Sequence, residues 1–204
     1  MTRERAWTEI ERRIVTGELP GGSRFDEEAV AADVGVETSA VREALCRLER
    51  DGFVRAVSDG GFAVAELDEI ELREAFPIVI LLEGLAVRNT ADFPDEAIAR
   101  LREINEALGA EAGDPMAAAT RDWEFHDELV SHCGNDPLLS TLRPLKRMLL
   151  RYEFAYMSTE RFVSSAVESH AAIVDALETG DSERAAQLVE SNFRDTFGGM
   201  LEKL

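Results

Sequence analysis

Residues 26–64 constrain the fold of this chain more than any other stretch of its sequence. A first run of small apolar residues predicts a short helix that ends at Gly35, because glycine is favoured just past a helix end. A second run, which Thr38 or Ser39 is expected to cap, repeats apolar residues at helical spacing. The positions on this buried stripe are Val41, Ala44, Leu45 and Leu48. The pattern predicts two helices joined by a tight turn.

The second predicted helix carries arginines outside its apolar stripe, and a hairpin pattern follows it. Arg42, Arg47 and Arg50 fall on the outward face. Residues 53–57 and 62–64 then flank the sequence Ser-Asp-Gly-Gly, which is typical of a tight turn between two strands. A helix that follows a short turn and presents arginines suits the major groove of DNA. These residues predict a winged helix-turn-helix with a small β-wing.

The order of residues in this region resembles the winged-helix domain of GntR-type transcription regulators. The resemblance covers about the first 65 residues. It is carried by Gly17-x-Leu19-Pro20-x-Gly22-x-Arg24, by Val41-Arg42-Glu43-Ala44-Leu45-x-Arg47-Leu48-Glu49-x-x-Gly52-Phe53-Val54, and by Gly61-Phe62-x-Val64. It implies a protein that binds double-stranded operator DNA. The expected DNA-contacting residues are Arg24, Thr38, Ser39, Arg42, Arg47 and Gly61.

The chain departs from this family at two positions that normally face DNA. Glu37 and the residue after it stand where the family usually reads Ser-Arg, and Gly60 stands where an arginine usually precedes the wing glycine. Glu37 would repel a phosphate, although its carboxylate can accept a hydrogen bond from a cytosine amine. Arg24 is expected either to touch a phosphate or to pair with Asp26 or Glu27.

The chain is strongly acidic. Asp and Glu number 41 against 22 Lys and Arg, which gives a formal net charge of −19, and only Lys146 and Lys203 are lysine. Such a surface suits a protein kept soluble in concentrated salt, so a halophilic origin is our hypothesis. Residues 1–66 hold nine arginines and fourteen acidic residues. Because high salt also weakens phosphate contacts, this domain is expected to rely on local arginines, shape and base contacts.

Hydropathy and cysteine usage indicate a cytoplasmic protein without a membrane partner. No apolar run reaches the roughly 18 residues of a membrane span, and the charged start lacks an apolar signal-peptide core. Cys46 and Cys133 are the only cysteines and fall in separate predicted domains, so no disulfide is expected. Cys46 is predicted to be a small packed side chain rather than a redox switch.

After residue 66 the helical pattern continues along the chain. Apolar residues recur with helical spacing, and no strand signal interrupts them. Pro77 is expected to kink the first long helix or to start a new one, and Pro144 to kink another. Six or seven helices in an antiparallel bundle are the natural packing. The predicted fold class is mostly α, with a winged helix-turn-helix over residues 1–66 and an all-α domain over residues 67–204.

Four polar side chains fall on the apolar stripes of the predicted bundle. Asp122 and His126 are one helical turn apart and share a face, His170 lies between valines, and Asn192 falls within the last stripe. Buried polar groups are costly unless they are satisfied, so the four suggest a shared partner. One carboxylate and two imidazoles suit zinc, nickel, manganese or iron. From spacing alone, hydrogen-bonded core histidines are an equally good interpretation.

The helical region resembles the FCD effector domain found behind GntR-type DNA-binding domains in the FadR-like branch. The resemblance is carried by Leu82-Glu83-Gly84-Leu85-Ala86, by Asp122-x-x-x-His126 followed by Gly134-Asn135-x-x-Leu138, and by Glu168-x-His170-x-x-Ile173. In metal-binding members of this family, the positions of Asp122, His126 and His170 hold the ion. A further histidine completes the set where this chain has Asn192, which leaves that residue as a weak oxygen ligand or a water-holder.

The resemblance also implies a small-molecule effector, expected to be an organic acid or a related metabolite. Members that bind carboxylates commonly carry an arginine about one helical turn before the position of Glu83, where this chain has the apolar residues 78–80. Arg147 and Arg151 are the alternative candidates for effector binding, since they lie one turn apart on a predicted helix. Two solvated surface arginines are the competing interpretation.

The favoured interpretation is a one-component, ligand-responsive transcription regulator that binds operator DNA as a homodimer and is not an enzyme. A ligand sensor with a degenerate DNA-binding surface is one alternative. A metal-dependent helical enzyme is another, but it would need an acid or base beside the metal, and the sequence offers ligands without one. The sequence leaves open the metal, the effector, the operator and the direction of control.

Overall fold

A computed structural model describes residues 2–90, 92–156 and 160–202 of the chain. Within these residues it contains nine α-helices and two short strands, so the predicted mostly α fold class is confirmed. The division between two compact units falls between Asp68 and Glu69. The elements are α1 (Thr2–Val15), α2 (Glu27–Val34), α3 (Thr38–Arg50), β1 (Val54–Ala56), β2 (Phe62–Val64), α4 (Glu69–Asn89), α5 (Asp95–Ala110), α6 (Pro115–Ser131), α7 (Asp136–Tyr156), α8 (Glu160–Glu178) and α9 (Ser182–Leu201).

The first unit is a winged helix-turn-helix. Helix α3 packs against α1 and α2, and fully buried side chains fill the space between them. Strands β1 and β2 pair antiparallel with Val54 opposite Val64. Asp26 caps α2 through hydrogen bonds from two backbone N–H groups, and Gly35 ends it with a φ of 73°, a conformation that favours glycine. The buried side chains include Ile10, Val41, Leu45, Leu48 and Phe53.

Two local predictions in this unit were wrong. Neither Thr38 nor Ser39 caps α3, because the tight turn starts the helix at Thr38 and makes Glu37 the cap residue, without a side-chain hydrogen bond. Instead, the carbonyl of Glu37 accepts hydrogen bonds from the Ala40 and Val41 N–H groups. Cys46 is exposed rather than packed, because it lies on the outer face of α3.

The second unit is a bundle of the helices α4 to α9. Helix α4 packs against α7 and α9, α5 against α6 and α8, and α8 against α9. Pro77 and Pro144 lie inside α4 and α7, so neither proline starts a new helix. The core side chains include Leu72, Phe76, Leu101, Phe125, Leu129, Leu142, Ile173, Val189 and Phe193. None of the described helices is long and apolar enough to cross a membrane.

One side of α4 carries large apolar side chains that remain exposed. Leu81 and Ile70 are 64% and 65% exposed, and Ile78 and Leu85 lie on the same side of the helix. Their spacing places them within one face, since a helix turns by 3.6 residues. Single exposed apolar residues are common, whereas several on one helix face mark an interaction surface.

Candidate functional sites

Asp122, His126 and His170 meet in the interior of the helical bundle. Helix α6 carries Asp122 and His126 one turn apart, and α8 brings His170 opposite them. One ligand atom from each residue lies within 4.8 Å of the others, and all three side chains are buried. The separation between His170 Nε2 and Asp122 Oδ1 is 3.5 Å. Of the four residues predicted from the stripes, these three form the shared cluster.

Burial disfavours the charged form of each side chain in this cluster. It raises the pKa of Asp122 to about 7 and lowers the pKa of His170 to about 3. The pKa of His126 is also lowered, first by burial and then by the charges of His170 and Lys146. A divalent cation suits such a group because it binds neutral imidazoles and supplies the positive charge that an ionised aspartate needs.

The ring nitrogens of the two histidines also fit a metal ion. Among the described residues, His126 Nδ1 and both ring nitrogens of His170 are buried without a hydrogen-bond partner. The ring of Phe125 stacks on the His170 imidazole with 3.8 Å between centroids, so an apolar surface covers one face of the ligand. Buried polar atoms of native proteins normally have partners, and a metal ion would provide one for a single nitrogen of each ring.

Asn192 lies next to this cluster on α9. Its side chain lies beside His126, where hydrogen bonding opposes the fall in the pKa of that ring, and the residue is partly exposed. An outer hydrogen bond of this kind orients a metal-binding histidine. The structure therefore places Asn192 where it can hold the ring of His126, and its role as a fourth ligand stays a prediction.

Lys146 and Glu83 form a buried ion pair beside the cluster. Lys146 Nζ is 2.6 Å from Glu83 Oε1, and Glu83 Oε2 is 4.0 Å from His126 Nδ1. Sequence reasoning missed this pair as part of the site. Two features of the sequence could have indicated it. Glu83 falls within the apolar face of α4, and Lys146 is one of only two lysines in a chain rich in arginine.

The two arginines predicted to bind an effector differ in their surroundings. Arg151 is buried, and its Nη2 donates to Glu71 Oε2 at 2.9 Å. The hydroxyl of Tyr152 donates to the same carboxylate oxygen. The alternative that both arginines are solvated is therefore wrong for Arg151, because α7 turns its side chain toward α4. Arg147 is partly exposed. Effector binding by either residue stays a prediction.

The arginines predicted to contact DNA are paired with acidic residues of the same unit. Arg42 Nε donates to Glu27 Oε2 at 2.9 Å, and Arg24 Nη2 donates to Asp59 Oδ1 at the same distance. Arg24 therefore pairs with the wing, not with the predicted Asp26 or Glu27. These pairs keep the guanidinium groups at the surface. Because ion pairs at a protein surface are weak, the pairing does not prevent an arginine from contacting another group.

Helix α3 borders an open cleft of about 680 Å³. Arg47 lines it, stacked 4.1 Å above the Trp7 ring and 3.3 Å from Glu4 Oε1. The other predicted DNA contacts are Thr38 and Ser39, exposed at the start of α3, and Gly61, which has a φ of 83° in the wing turn. The structure thus leaves these residues on the surface of the first unit, and DNA contact by each of them stays a prediction.

Two family profiles match the chain. The family described as "Bacterial regulatory proteins, gntR family" matches residues 2–64, and the "FCD domain" matches residues 74–195. A protein of Paenarthrobacter nicotinovorans named "Probable D-xylose utilization operon transcriptional repressor" is 35% identical over 178 residues, which cover 86% of this chain and 78% of that protein. The gluconate operon transcriptional repressor of Bacillus subtilis is 23% identical over 92% of this chain and 80% of its own length.

Solved structures share the fold over almost the whole chain. McbR/YncC of E. coli superposes with a TM-score of 0.84 at 19% identity and covers 100% of this chain and 98% of its own. A GntR regulator of Rhodococcus sp. RHA1 gives a TM-score of 0.83 at 22% identity, with 99% and 98% covered. At these identities the similarity shows the fold alone.

Proposed function

This chain belongs to the GntR family of bacterial transcription regulators, in the branch with an FCD domain, and we propose that it is a metal-assisted sensor of a small molecule. In this proposal it binds operator DNA as a homodimer through α3 and the wing. Effector bound in the helical unit changes its operator affinity. Both matched families consist of regulators, so the prediction that the chain is not an enzyme is confirmed.

The buried cluster of Asp122, His126 and His170 is the observation that carries the sensor proposal. These residues would hold a divalent transition metal, such as zinc, nickel, manganese or iron. Three protein ligands leave at least one coordination position for another molecule. The metal would supply a Lewis acid that attracts an oxygen of the effector. Asn192, which lies beside His126, would fix the orientation of that ring through a hydrogen bond.

The names of two relatives support a sugar-derived or organic-acid effector. One is named for an operon of D-xylose utilization and another for a gluconate operon. Both names describe repressors, which favours repression as the direction of control in this chain as well.

The exposed apolar face of α4 supports a homodimer. A Leu81→Glu protein is expected to shift from dimer to monomer, because each copy would place a carboxylate in the apolar contact. Light scattering in molar potassium chloride would measure the molar mass. An Ala110→Glu protein adds the same charge on the exposed end of α5 and should remain dimeric. A dimeric Leu81→Glu protein, or a monomeric wild type, would rule out this interface.

Footprinting of the DNA upstream of the chain's own gene tests the proposed function directly. In molar potassium chloride, the wild type is expected to protect a palindrome with two half-sites roughly one or two helical turns apart. A folded dimer that protects no DNA at any salt concentration would support the alternative of a ligand sensor without operator binding. The acidic partners of Arg24 and Arg42 are the observation that favours this alternative.

A further inference from the structure

Glu37 lies at the amino-terminal end of α3, the helix predicted to enter the major groove. Its carbonyl oxygen accepts hydrogen bonds from the Ala40 and Val41 N–H groups, so its backbone is fixed to the first turn of the helix. Its side chain is exposed and makes no capping hydrogen bond. In helix-turn-helix proteins, the amino-terminal residues of this helix contact the edges of the bases. The Glu37 carboxylate is therefore held at the end of α3 that is expected to meet the bases of an operator.

The carboxylate of Glu37 has no partner inside the protein. It makes no hydrogen bond or ion pair with any residue in the parts of the chain that the structure describes. Other charged side chains of α3 are occupied. Arg42 Nε donates to Glu27, and Glu49 Oε1 accepts a hydrogen bond from the Ala56 N–H group at 3.0 Å. Both oxygens of the Glu37 carboxylate are thus available to a group outside the protein.

A carboxylate at this position opposes contact with the DNA backbone. The amino-terminal end of a helix normally favours a phosphate, because its free N–H groups and the helix dipole are positive there. The negative charge of Glu37 repels a phosphate from that end of α3. Contact with DNA at this point therefore requires a group that donates a hydrogen bond, and the base edges carry such groups while the phosphates do not.

The four bases differ in what they offer to a carboxylate in the major groove. An ionised carboxylate can only accept hydrogen bonds. Cytosine presents its 4-amino donor alone, whereas guanine presents two acceptors and thymine presents an acceptor beside a methyl group. Adenine presents one donor and one acceptor. A carboxylate is therefore expected to favour cytosine over adenine, and adenine over thymine or guanine.

We propose that Glu37 selects a cytosine in each operator half-site by accepting a hydrogen bond from the 4-amino group of that base. The inference rests on the proposed operator binding and names a residue that determines its sequence specificity. A hydrogen bond to an ionised acceptor is stronger than one between neutral groups. Repulsion from the acceptor atoms of guanine and thymine adds to the discrimination, because specificity is the difference between the right base and the wrong ones.

Selection from a library of randomised DNA duplexes tests this assignment. In molar potassium chloride, the full-length wild type is expected to enrich a palindrome with a cytosine at one matching position of each half-site. Its affinity should fall about 10-fold when guanine replaces one of these cytosines, and less when adenine does. In Glu37→Ala the preference among the four bases at this position should disappear. Affinity for other sequences should rise in this variant, since a charge that repels phosphates has been removed.

A modified operator tests the same hydrogen bond from the side of the DNA. Pyrimidin-2-one lacks the 4-amino group, so its use in place of the cytosine should weaken binding of the wild type about 10-fold more than binding of Glu37→Ala. Glu28→Ala removes an exposed carboxylate from α2, and it should change the affinity for all four bases alike.

Two results would overturn the inference alone. One is an unchanged base preference in Glu37→Ala, which is the outcome expected if Glu37 only stabilises the dipole of α3. The other is equal binding of the normal and the modified operator by the wild type, a measurement that needs no variant protein. A folded wild type that enriches no sequence would instead overturn the proposed operator binding, and this inference with it.

Discussion

A His126→Ala protein is expected to bind a divalent transition metal roughly 100-fold more weakly than the wild type, or not at all. The substitution removes one of the three side chains whose ligand atoms lie within 4.8 Å of one another. Loss of an outer hydrogen-bond partner alone typically costs 10- to 100-fold in metal affinity, and loss of a direct ligand costs more. Competition with a chromogenic chelator, followed by elemental analysis of the dialysed protein, would measure the effect.

His132→Ala is the matched control for this experiment. His132 follows α6 and pairs with Glu128 at 2.8 Å, away from the cluster, so its loss should leave metal affinity unchanged. Thermal unfolding gives a second readout. Added metal should stabilise the wild type and the His132→Ala protein, because a ligand that binds only the folded state raises the stability of that state. It should not stabilise the His126→Ala protein. Equal metal binding by His126→Ala and the wild type would contradict the proposed centre.

The metal cluster could be predicted from the sequence because its members obey helical periodicity. Asp122 and His126 share a face at a spacing of four residues, and His170 lies between valines on a buried stripe. Periodicity identifies the inward face of each helix but does not identify which inward faces meet. The Lys146–Glu83 pair joins α7 to α4, a contact that depends on the packing of the bundle.

The wrong partner predicted for Arg24 has the same origin. The partner of Arg24 is Asp59, which the wing brings close although 35 residues separate them. Asp26 and Glu27 are closer to Arg24 along the chain than Asp59 is. However, Asp26 caps α2 and Glu27 is paired with Arg42. Local rules therefore predicted the helices and the hairpin well, and the choice of ion-pair partners depended on tertiary structure.

An Arg42→Ala protein is expected to bind operator DNA about 10- to 100-fold more weakly than the wild type. Arg42 is 68% exposed on α3, the helix predicted to enter the major groove, and an arginine contact to DNA is typically worth about 1–3 kcal/mol. Fluorescence anisotropy with the footprinted operator would give the affinity over a range of potassium chloride concentrations. An unchanged affinity would remove Arg42 from the interface.

Replacing Glu27, the partner of Arg42, tests how the acidic surface affects the contact of Arg42 with DNA. Arg42 must leave Glu27 before it reaches DNA, and the freed carboxylate then attracts a cation while the DNA releases one. The Glu27 side chain is only 11% exposed, so its carboxylate loses its partner at a largely buried position when Arg42 turns to DNA. Glu27→Gln should therefore strengthen binding severalfold and should steepen the fall of affinity with salt. Glu28→Gln makes the same charge change at an exposed neighbouring position and should have a smaller effect. Identical salt dependence in the Glu27→Gln protein and the wild type would show that Arg42 does not exchange Glu27 for a phosphate.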